Sequence, residues 1–483
     1  MLGQCNGEQV MKAVFGDKPE TILFTKPNKN SKKTNHVLMG TYLQVIEENN
    51  GWYNVVTKSA GRGGWVKKSD VRDNPGLKVF YVDVGQGDGA IIESPEGIVL
   101  IDGGPTKKYH SFMKWRYRKL IEDNGKVTIK AMVVSHPDQD HYEGFISVLN
   151  DPDFHVETIY HNGIKRYSAR NLPADLDFDL GELKYKTLNG QKELVLTETF
   201  DGLDDAREMI ASNKFLTKTG RKTVFHKFWE AAVIAHDAGR VGRSKRLTGR
   251  TKALAGFKDR SEGKLFIEVL GPIPTKSSGA IEYVTFPDAH DIVLQRIDPK
   301  DKDEIPRPSS SHTRNGHSIV LKLHFGKHSF LFGGDLNIPA QLHLIDYYKP
   351  ENPFKSDVAK ACHHGSSDFH IDFLKMVKPR ANVVSSGDQK TFDHPVADAV
   401  GTLCRHTQGD FPLFFSTELA RATSSKKTHY GLINARSNGS VLTMAQMKES
   451  HKGKADVWDS FTVPWKGKFH DVLNGSHSTK RLS

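Results

Sequence analysis

The stretch His136-Pro137-Asp138-Gln139-Asp140-His141 decides the fold, because it places four metal-binding side chains within six residues. It follows an apolar run, residues 131–135, that is typical of a buried strand, and a helical pattern starts at Tyr142. Connections beyond strand ends are where open α/β sheets place ligands. The two carboxylates repel each other unless cations neutralise them, and helix capping accounts for at most one of them. The stretch therefore predicts a metal site rather than a solvated polar loop.

Other apolar runs of the chain also lead into aspartate, histidine or glycine. The predicted strands are residues 79–83, 90–93, 99–102, 318–325, 329–332, 358–362 and 382–386. The segments that follow strand ends are Gly85-Gln86-Gly87-Asp88-Gly89, Asp102-Gly103-Gly104, Gly333-Gly334-Asp335, His363-His364-Gly365-Ser366 and His394-Pro395. Repetition of this pattern favours one shared site at the edge of a sheet.

Together with Asn315-Gly316-His317-Ser318, these motifs resemble those of the metallo-β-lactamase superfamily. The resemblance is closest to the hydrolase domain of ComEC-type competence proteins, which take part in DNA uptake, and it spans residues 79–395. It implies an α/β (α+β) fold, an αββα sandwich with two facing mixed sheets and helices outside. It also implies a dinuclear metal site at one edge of the sandwich.

The resemblance further implies a ligand set. His136 and Asp138 would hold the first metal ion, Asp140 and His141 the second, and Asp335 would bridge them. Most of the superfamily has histidine at the position of Asp138, although the ComEC-like branch shares the aspartate. An oxygen-rich site accepts Mn²⁺ or Mg²⁺ more readily than a histidine-rich zinc site does. We therefore expect two divalent cations, Zn²⁺ or Mn²⁺, with Mg²⁺ also compatible.

The roles of the remaining histidines also follow from the resemblance. His394 is expected to complete the second metal site, and His364 to contact the phosphate or protonate the leaving group. His363 is expected to pack behind the ligands, and Asp102 to bind metal or support a ligand. The third-motif histidine of the superfamily has no clear counterpart, and His161 is the nearby candidate. Without it, the first metal would be loosely held.

These assignments predict a metal-dependent hydrolase, a phosphodiesterase or nuclease that cleaves nucleic acid with a metal-bound hydroxide. Asp140 or Asp335 would orient the attacking group, and His364 would assist the departing oxygen. One alternative is a metallohydrolase of a small molecule such as a nucleotide, lactone or thioester, because one fold hosts many chemistries. Another alternative is a non-catalytic sensor or adaptor with a structural metal.

The net charge of +11 lies mostly in one segment. Residues 214–260 contain 13 Lys or Arg against 3 Asp or Glu, a local excess of 13 − 3 = +10. Residues 223–236 have a helical pattern, and 239–258 are predicted to form a mobile loop. We expect this basic segment to grip a nucleic-acid backbone, or else to be an ordinary solvated insertion. The residues expected to contact nucleic acid are Arg240, Arg243, Lys245 and Arg246.

The first seventy residues have a different pattern, with short alternating strands at 41–46, 52–56 and 64–66 separated by glycine-containing turns. This pattern resembles a bacterial SH3-like barrel, which could bind a protein or peptide. Tyr42, Trp52, Tyr53 and Trp65 would line its groove or form its core, and core is favoured for the two tryptophans. The predicted divisions are a lead (1–18), the SH3-like domain (19–73), the hydrolase domain (74–465) and a polar tail (466–483).

The remaining features concern location and the C-terminal region. No apolar stretch predicts an export signal or a membrane anchor, so no membrane partner is expected. Three cysteines, Cys5, Cys362 and Cys404, fit a reducing bacterial cytoplasm without disulfide bonds. Residues 431–435 and 441–447 are predicted to form a hairpin, and 458–465 a further strand.

Overall fold

The computed structural model describes residues 12–57, 63–168, 179–275, 280–288, 308–387, 392–418, 432–447 and 458–464. The chain divides into two compact units, Met1–Lys78 with Asn434–Ser483, and Val79–Ile433. The second unit thus ends earlier than the hydrolase domain predicted at 74–465, because the chain beyond Ile433 groups with the first unit. Cys5, residues 1–11 of the predicted lead, turn residues 60–62, Gly431, Trp465 and the predicted tail lie outside the described residues.

The first unit contains a seven-stranded sheet whose strands follow the order β3-β2-β6-β5-β4-β1-β7. The strands are β1 (Ala13–Gly16), β2 (Glu20–Phe24), β3 (Lys33–Leu38), β4 (Tyr42–Asn49), β5 (Trp52–Thr57), β6 (Gly64–Lys67) and β7 (Val71–Arg72). Alternate side chains point inward and build a core that includes Leu23, Leu43 and Val55. β1 falls within the predicted lead, which therefore contributes a strand to this sheet.

The aromatic residues of this unit divide between its core and its surface. Trp52 is buried, with its ring 5.8 Å from that of Phe24, and Tyr53 is buried in the core cluster. Tyr42 and Trp65 are half-buried. The predicted core role is confirmed for Trp52, and neither Trp52 nor Tyr53 is placed to line an open groove.

The second unit contains two large sheets. In the first, the strands are β8 (Leu77–Tyr81), β9 (Gly89–Ser94), β10 (Gly97–Gly103), β11 (Val127–Ile129), β12 (Ala131–Val133), β13 (Phe154–His161) and β16 (Val241–Arg246). β10, β12, β13 and β16 run parallel in that order, and β8 and β9 continue the sheet beyond β10. A small antiparallel sheet lies apart, formed by β14 (Leu183–Leu188), β15 (Gln191–Leu196) and β18 (Tyr283–Val284).

The second large sheet follows the order β17-β19-β20-β21-β22-β23. Its strands are β17 (Leu265–Gly271), β19 (Val320–Phe325), β20 (His328–Phe332), β21 (Val358–Lys360), β22 (Ala381–Val384) and β23 (Leu413–Ser416). The last four run parallel. Tyr81 of the first sheet stacks on Phe332 of the second, with ring centroids 5.6 Å apart.

Helices pack on both sheets of the second unit. They are α1 (Lys108–Asn124), α2 (Gln139–Leu149), α3 (Leu203–Ala211), α4 (Val224–Asp237), α5 (Ser310–Gly316), α6 (Ile338–Tyr348), α7 (Ile371–Val377) and α8 (Ala397–Arg405). Short 3-10 turns span Lys68–Asp70, Asn213–Phe215, Gly249–Thr251 and Cys362–Gly365. Leu344 of α6 and Phe373 of α7 share an apolar core with Leu331 of β20. Across the described residues, no helix is both long and apolar enough to cross a membrane.

Near the C-terminal end are β24 (Ile433–Ser437), β25 (Leu442–Met447) and β26 (Trp458–Val463). The predicted hairpin is present, since the amide of Asn438 donates to the carbonyl of Val441 at 3.3 Å in the turn between β24 and β25. β26 pairs antiparallel with β25, in agreement with the predicted last strand.

The predicted mobile loop at residues 239–258 is wrong, because this segment carries β16, which pairs along β13. Its arginines are used inside the fold: Arg240 donates to the carbonyl of Leu149, and Arg246 Nη1 donates to Thr199 Oγ1 at 2.8 Å. Arg243 Nε donates to Thr158 Oγ1 at 3.2 Å, yet Arg243 and Lys245 remain exposed. The segment forms a strand because the edge of β13 offers backbone hydrogen-bond partners. Local charge and composition do not indicate those partners. The helix predicted at 223–236 is confirmed as α4.

Candidate metal centre

Parallel strands bring the predicted motifs to one edge of the second unit. Asp102 lies at the carboxyl end of β10. Beyond the carboxyl ends of β12, β20 and β21, the chain leads to His136, Asp335 and His364. Strands that run the same way end on the same side of a sheet, so their following loops converge. The observed strands β10, β12, β20 and β21 agree with the apolar runs of the sequence to within two residues.

Asp140, His141, Asp335 and His364 form a compact group in which one ligand atom from each side chain lies within 4.8 Å of every other. Asp335 Oδ2 is 3.3 Å from His141 Nε2 and 3.2 Å from His364 Nε2. Asp140 Oδ2 is 3.2 Å from His364 Nε2. Asp140 is half-buried and the other three residues are buried. The group offers two imidazole nitrogens and two carboxylates, a donor set that suits Zn²⁺ and Mn²⁺.

Local backbone geometry places these four side chains. α2 begins at Gln139 rather than at the predicted Tyr142, so Asp140 and His141 lie in its first turn, where a helix stabilises negative charge. Asp335 follows Gly334, which has a φ of +54°. A Cβ atom at Gly334 would lie 2.7 Å from Ser318 Oγ, so a side chain is excluded there. His364 itself has a φ of +54°. Such left-handed conformations of non-glycine residues cost about 1–3 kcal/mol and cluster at functional sites.

Two side chains orient His141. Its Nδ1–H donates to Asp102 Oδ2 at 2.9 Å, which directs Nε2 towards Asp335. Ser135 holds Asp102 in turn, with its amide donating to Oδ1 and its hydroxyl to Oδ2, both at 2.8 Å. Burial raises the pKa of Asp102, and the contacts with His141 and Ser135 offset only part of that effect. Asp102 thus supports a ligand, as metal sites usually require.

His364 is oriented in a similar way from the other side. Its Nδ1 lies 3.1 Å from the carbonyl oxygen of Ser385 and 3.1 Å from Asp88 Oδ1. Asp88 forms an ion pair with the buried Lys360, whose Nζ also lies 3.9 Å from Asp335 Oδ1. The sequence analysis did not single out Lys360, although a lysine inside an apolar predicted strand is a signal of a paired buried charge.

The charges within the group are strongly coupled. Burial tends to raise the pKa of Asp335, but His364 and His141 hold it well below its usual range. Burial tends to lower the pKa values of both histidines, but Asp335 together with Asp102 at His141 and Asp88 at His364 raises them well above normal. His141 Nε2, His364 Nε2 and Asp335 Oδ1 are buried without a well-directed hydrogen bond. These buried His and Asp groups are positioned to hold a metal ion.

His136 lies beside this group. Its ring is 4.1 Å from that of His141, and its Nδ1 is 3.2 Å from Ser318 Oγ. Burial and the neighbouring His141 lower its pKa to about 3, so the imidazole is neutral. His136 Nε2 is buried and has no hydrogen-bond partner. A neutral imidazole with an unpaired nitrogen can accept a hydrogen bond or contribute one metal ligand.

Asp138 has a different environment from the one expected of a ligand to the first metal. Arg314 Nε and Arg166 Nη1 donate to its Oδ1, the latter at 3.1 Å, and Arg314 Nη2 lies 3.3 Å from Oδ2. Burial would raise the pKa of Asp138, but the two guanidinium groups lower it. Its carboxylate is therefore neutralised by the chain itself, which corrects its predicted role.

His364, rather than His394, belongs to the four-residue group. The ring of His394 is 6.4 Å from that of His364, and its Nδ1 accepts from Gln86 Nε2 at 3.4 Å. Burial and the nearby histidines lower the pKa of His394 to about 4. His363 has Nε2 4.0 Å from Asp335 Oδ2, beside the ligands as expected.

His161 is not a ligand. The amide of Gly163 donates to its Nδ1 at 3.1 Å, and its Nε2 donates to the carbonyl of Asp201 at 3.2 Å. Its ring stacks on Phe200 with centroids 4.3 Å apart. Both ring nitrogens are thus used in an aromatic core, and the third-motif position stays without a protein ligand from this residue.

A cleft of about 310 Å³ opens over the centre. Its lining residues include Asp140, Asp335, His363, His364 and His394. The wall also carries His312, a residue that the sequence analysis missed, whose Nε2 is 3.4 Å from Asp368 Oδ2. Its position three residues before Asn315-Gly316-His317-Ser318 is the one hint that the sequence offers.

Two comparisons with known proteins gave matches to this chain. Residues 19–72 match the bacterial SH3 domain family, so the module predicted at 19–73 is confirmed as a bacterial SH3 domain. A stretch of 105 residues is 29% identical to ComE operon protein 3 of Bacillus subtilis (strain 168). That stretch covers 22% of this chain and 13% of the relative's length.

Proposed function

We propose that the second unit is a metal-dependent phosphodiesterase of the metallo-β-lactamase type, acting on nucleic acid. The observation that carries the proposal is the convergence of Asp140, His141, Asp335 and His364 in one group. Three of them, Asp140, Asp335 and His364, line an open cleft. The four residues come from three separate stretches of the sequence. His141 Nε2, His364 Nε2 and Asp335 Oδ1 are buried there without a hydrogen-bond partner, which is what a cation site requires.

The arrangement of elements supports the same type of fold. Two mixed sheets contact each other through Tyr81 and Phe332, and α6 and α7 pack on the second sheet. The αββα sandwich of the superfamily has these layers, with its metal ligands on the loops at one edge. The partial identity with ComE operon protein 3 agrees with a relation to competence proteins.

The four-ligand centre would supply a Lewis acid that polarises a phosphoryl oxygen and promotes ionisation of water. Asp140 and Asp335 line the cleft, where their carboxylates would face a bound substrate. Asp102 and Asp88 hold His141 and His364 in the tautomers that direct Nε2 inward. His136 Nε2 is buried and unpaired beside the centre.

The leaving oxygen needs a proton donor other than His364, because His364 Nε2 faces Asp140 and Asp335. His312 lies in the cleft wall, where its Nε2 is 3.4 Å from Asp368 Oδ2 and its Nδ1 is 3.0 Å from Ser309 Oγ. We assign the proton-donor role to His312. A positioned general acid typically contributes about 10²–10⁴-fold to the rate.

Nucleic acid is proposed as the substrate because of the protein's positive charge. The second unit carries the basic segment 214–260, in which Arg243 and Lys245 are exposed on β16. Exposed cations on a rigid strand neutralise phosphates without sequence preference. Arg240 and Arg246, which donate to groups inside the fold, are not assigned to this contact.

The proposal is tested by incubating the full-length protein with single-stranded DNA, double-stranded DNA and RNA in Mn²⁺, Mg²⁺ or Zn²⁺. We expect metal-dependent cleavage of at least one polymer. Asp335→Asn removes the carboxylate that contacts both histidines, so it should abolish cleavage. Asp346→Asn, which changes an exposed carboxylate of α6, is the matched control and should cleave normally.

Two outcomes would contradict the proposal. Cleavage that survives in Asp335→Asn would mean a contaminating nuclease or a different site. Cleavage of no polymer, combined with hydrolysis of nucleotides, lactones or thioesters, would assign the centre to a small molecule.

A further inference from the structure

The carboxylate of Asp138 has four hydrogen-bond donors around it. Arg314 Nε and Arg166 Nη1 reach Oδ1, while Arg314 Nη2 reaches Oδ2. With its side-chain amide turned so that nitrogen faces an acceptor, Asn315 also donates to Oδ2, at 3.1 Å. An ionised carboxylate has about four lone-pair positions, so these donors fill them. No lone pair is left for a metal ion.

The charges around Asp138 also balance without a cation. Arg314 Nη1 is 3.3 Å from Asp179 Oδ1, and Arg166 Nε is 3.6 Å from Asp179 Oδ2. Two guanidinium groups thus face the carboxylates of Asp138 and Asp179. A divalent ion bound at Asp138 would be repelled by both arginines.

The other ligands expected for a first metal are also too few. His161 uses both ring nitrogens within the fold. His136 keeps one unpaired nitrogen, and Asp335 would have to be shared with the four-ligand centre. One imidazole and one shared carboxylate do not make a closed site, since firmly held ions take three or four protein ligands.

We propose that the centre holds a single divalent cation, on Asp140, His141, Asp335 and His364, and that the guanidinium pair of Arg166 and Arg314 takes the place of the second. The superfamily resemblance implies two cations, so the proposed number of cations departs from it, although the aspartate at position 138 is shared with the ComEC-like branch. The inference rests on the proposed function only in treating the four-residue group as a metal centre. It predicts a mononuclear site in which fixed side-chain charges do part of the work of a metal.

The test is the number of Mn²⁺ ions bound per chain. Full-length protein is stripped with a chelator and then equilibrated with increasing Mn²⁺, and bound metal is measured by plasma mass spectrometry. We expect a plateau of about one ion per chain. The electron paramagnetic resonance spectrum should be that of an isolated Mn²⁺ ion, because a second ion a few ångströms away would couple to the first.

Two variants locate the ion. His364→Ala should remove it, with the Mn²⁺ dissociation constant raised by at least about 100-fold, since it deletes a ligand rather than an outer support. His136→Ala should leave the plateau at one ion and change the dissociation constant by less than about 3-fold. Circular dichroism melts establish that each variant is folded, and the wild-type plateau is decisive by itself.

The outcomes separate this inference from the proposed function. A plateau of two coupled ions together with nucleic-acid cleavage would overturn the inference and leave the function standing. A plateau of one ion lost in His136→Ala would place the cation elsewhere and also overturn it. A protein that binds no Mn²⁺, and no Zn²⁺ in the same assay, would contradict both.

Discussion

Asp138 and Asp140 are separated by one residue, yet the fold treats their carboxylates in opposite ways. Asp138 is held by Arg314 and Arg166, which neutralise it within the protein. Asp140 faces His364 and Asp335 at the floor of the cleft. The difference separates aspartates that the chain neutralises with its own cations from aspartates that are left for a metal ion.

The same distinction applies to Asp88 and Asp335, which lie on either side of Lys360. Asp88 forms the shorter contact with Lys360 and also supports His364. Asp335 points its Oδ2 at two imidazoles, and its Oδ1 has no hydrogen-bond partner. Close pairing with a side-chain cation therefore distinguishes Asp88 from Asp335, whose nearest Lys360 contact is 3.9 Å.

The largest effect is expected from Asp335→Asn, which changes a candidate metal ligand. Loss of an outer-shell support costs about 10–100-fold, so loss of this ligand should lower kcat/KM by at least about 1000-fold. Steady-state cleavage assays with saturating Mn²⁺ measure it, with Asp346→Asn as control. Retention of a tenth of the activity would remove Asp335 from the centre.

Arg314→Met tests the aspartates that the chain neutralises with its own cations. It leaves the carboxylates of Asp138 and Asp179 short of a charge partner, and breaking a buried pair costs about 3–5 kcal/mol in the free energy of unfolding. Urea unfolding followed by tryptophan fluorescence reports this loss. The double variant Arg314→Met with Asp138→Asn should recover part of it. If Arg314→Met is as stable as the wild type, the ion pairs around Asp138 do not stabilise the fold.

His364→Ala and His394→Ala compare a predicted ligand with a neighbour across the cleft. Removal of His364 should raise the Mn²⁺ dissociation constant by about 100-fold or more, whereas removal of His394 should change it by less than about 3-fold. Isothermal titration calorimetry of the two chelator-treated variants measures both. A larger effect of His394→Ala than of His364→Ala would restore the roles that the superfamily resemblance implies, with His394 as the metal ligand.

The smallest effect concerns charge outside the centre. If Arg243 and Lys245 each contact one phosphate, the double change to glutamine should lower the slope of log affinity against log salt by up to about 1.8. Fluorescence anisotropy with a DNA duplex at several salt concentrations provides the slope. Arg240→Gln with Arg246→Gln should instead lower stability, because these arginines donate to Leu149 and Thr199. An unchanged slope in the first pair would remove β16 from the nucleic-acid contact.

Local sequence patterns predict much of this fold. The apolar runs before Asp102, His136, Asp335 and His364 are strands, since alternation and length identify buried strands without tertiary information. The bacterial SH3 domain is recognised for the same reason. The sequence also places every member of the four-residue group at a strand end or just beyond it.

What the sequence does not predict depends on contacts between distant residues. Arg314 is 176 positions from Asp138, and nothing near Asp138 indicates that the two side chains meet. The choice between His364 and His394 depends on which loop reaches Asp335, which spacing alone does not determine. β16 pairs with β13 because that edge was open, and local composition in 239–258 favours a loop instead.

The most direct test is the Mn²⁺ dependence of bis(4-nitrophenyl) phosphate hydrolysis in the wild type, Asp140→Asn and Asp138→Asn. We expect the wild-type rate to saturate with Mn²⁺ and the Asp140→Asn rate to fall by at least about 1000-fold, beyond the 10–100-fold typical of an outer-shell change. Asp138→Asn should keep a saturable dependence with a half-saturation concentration within about 3-fold of the wild type. A wild-type rate that does not depend on metal, or half-saturation shifted equally in both variants, would contradict a phosphodiesterase centred on Asp140, His141, Asp335 and His364.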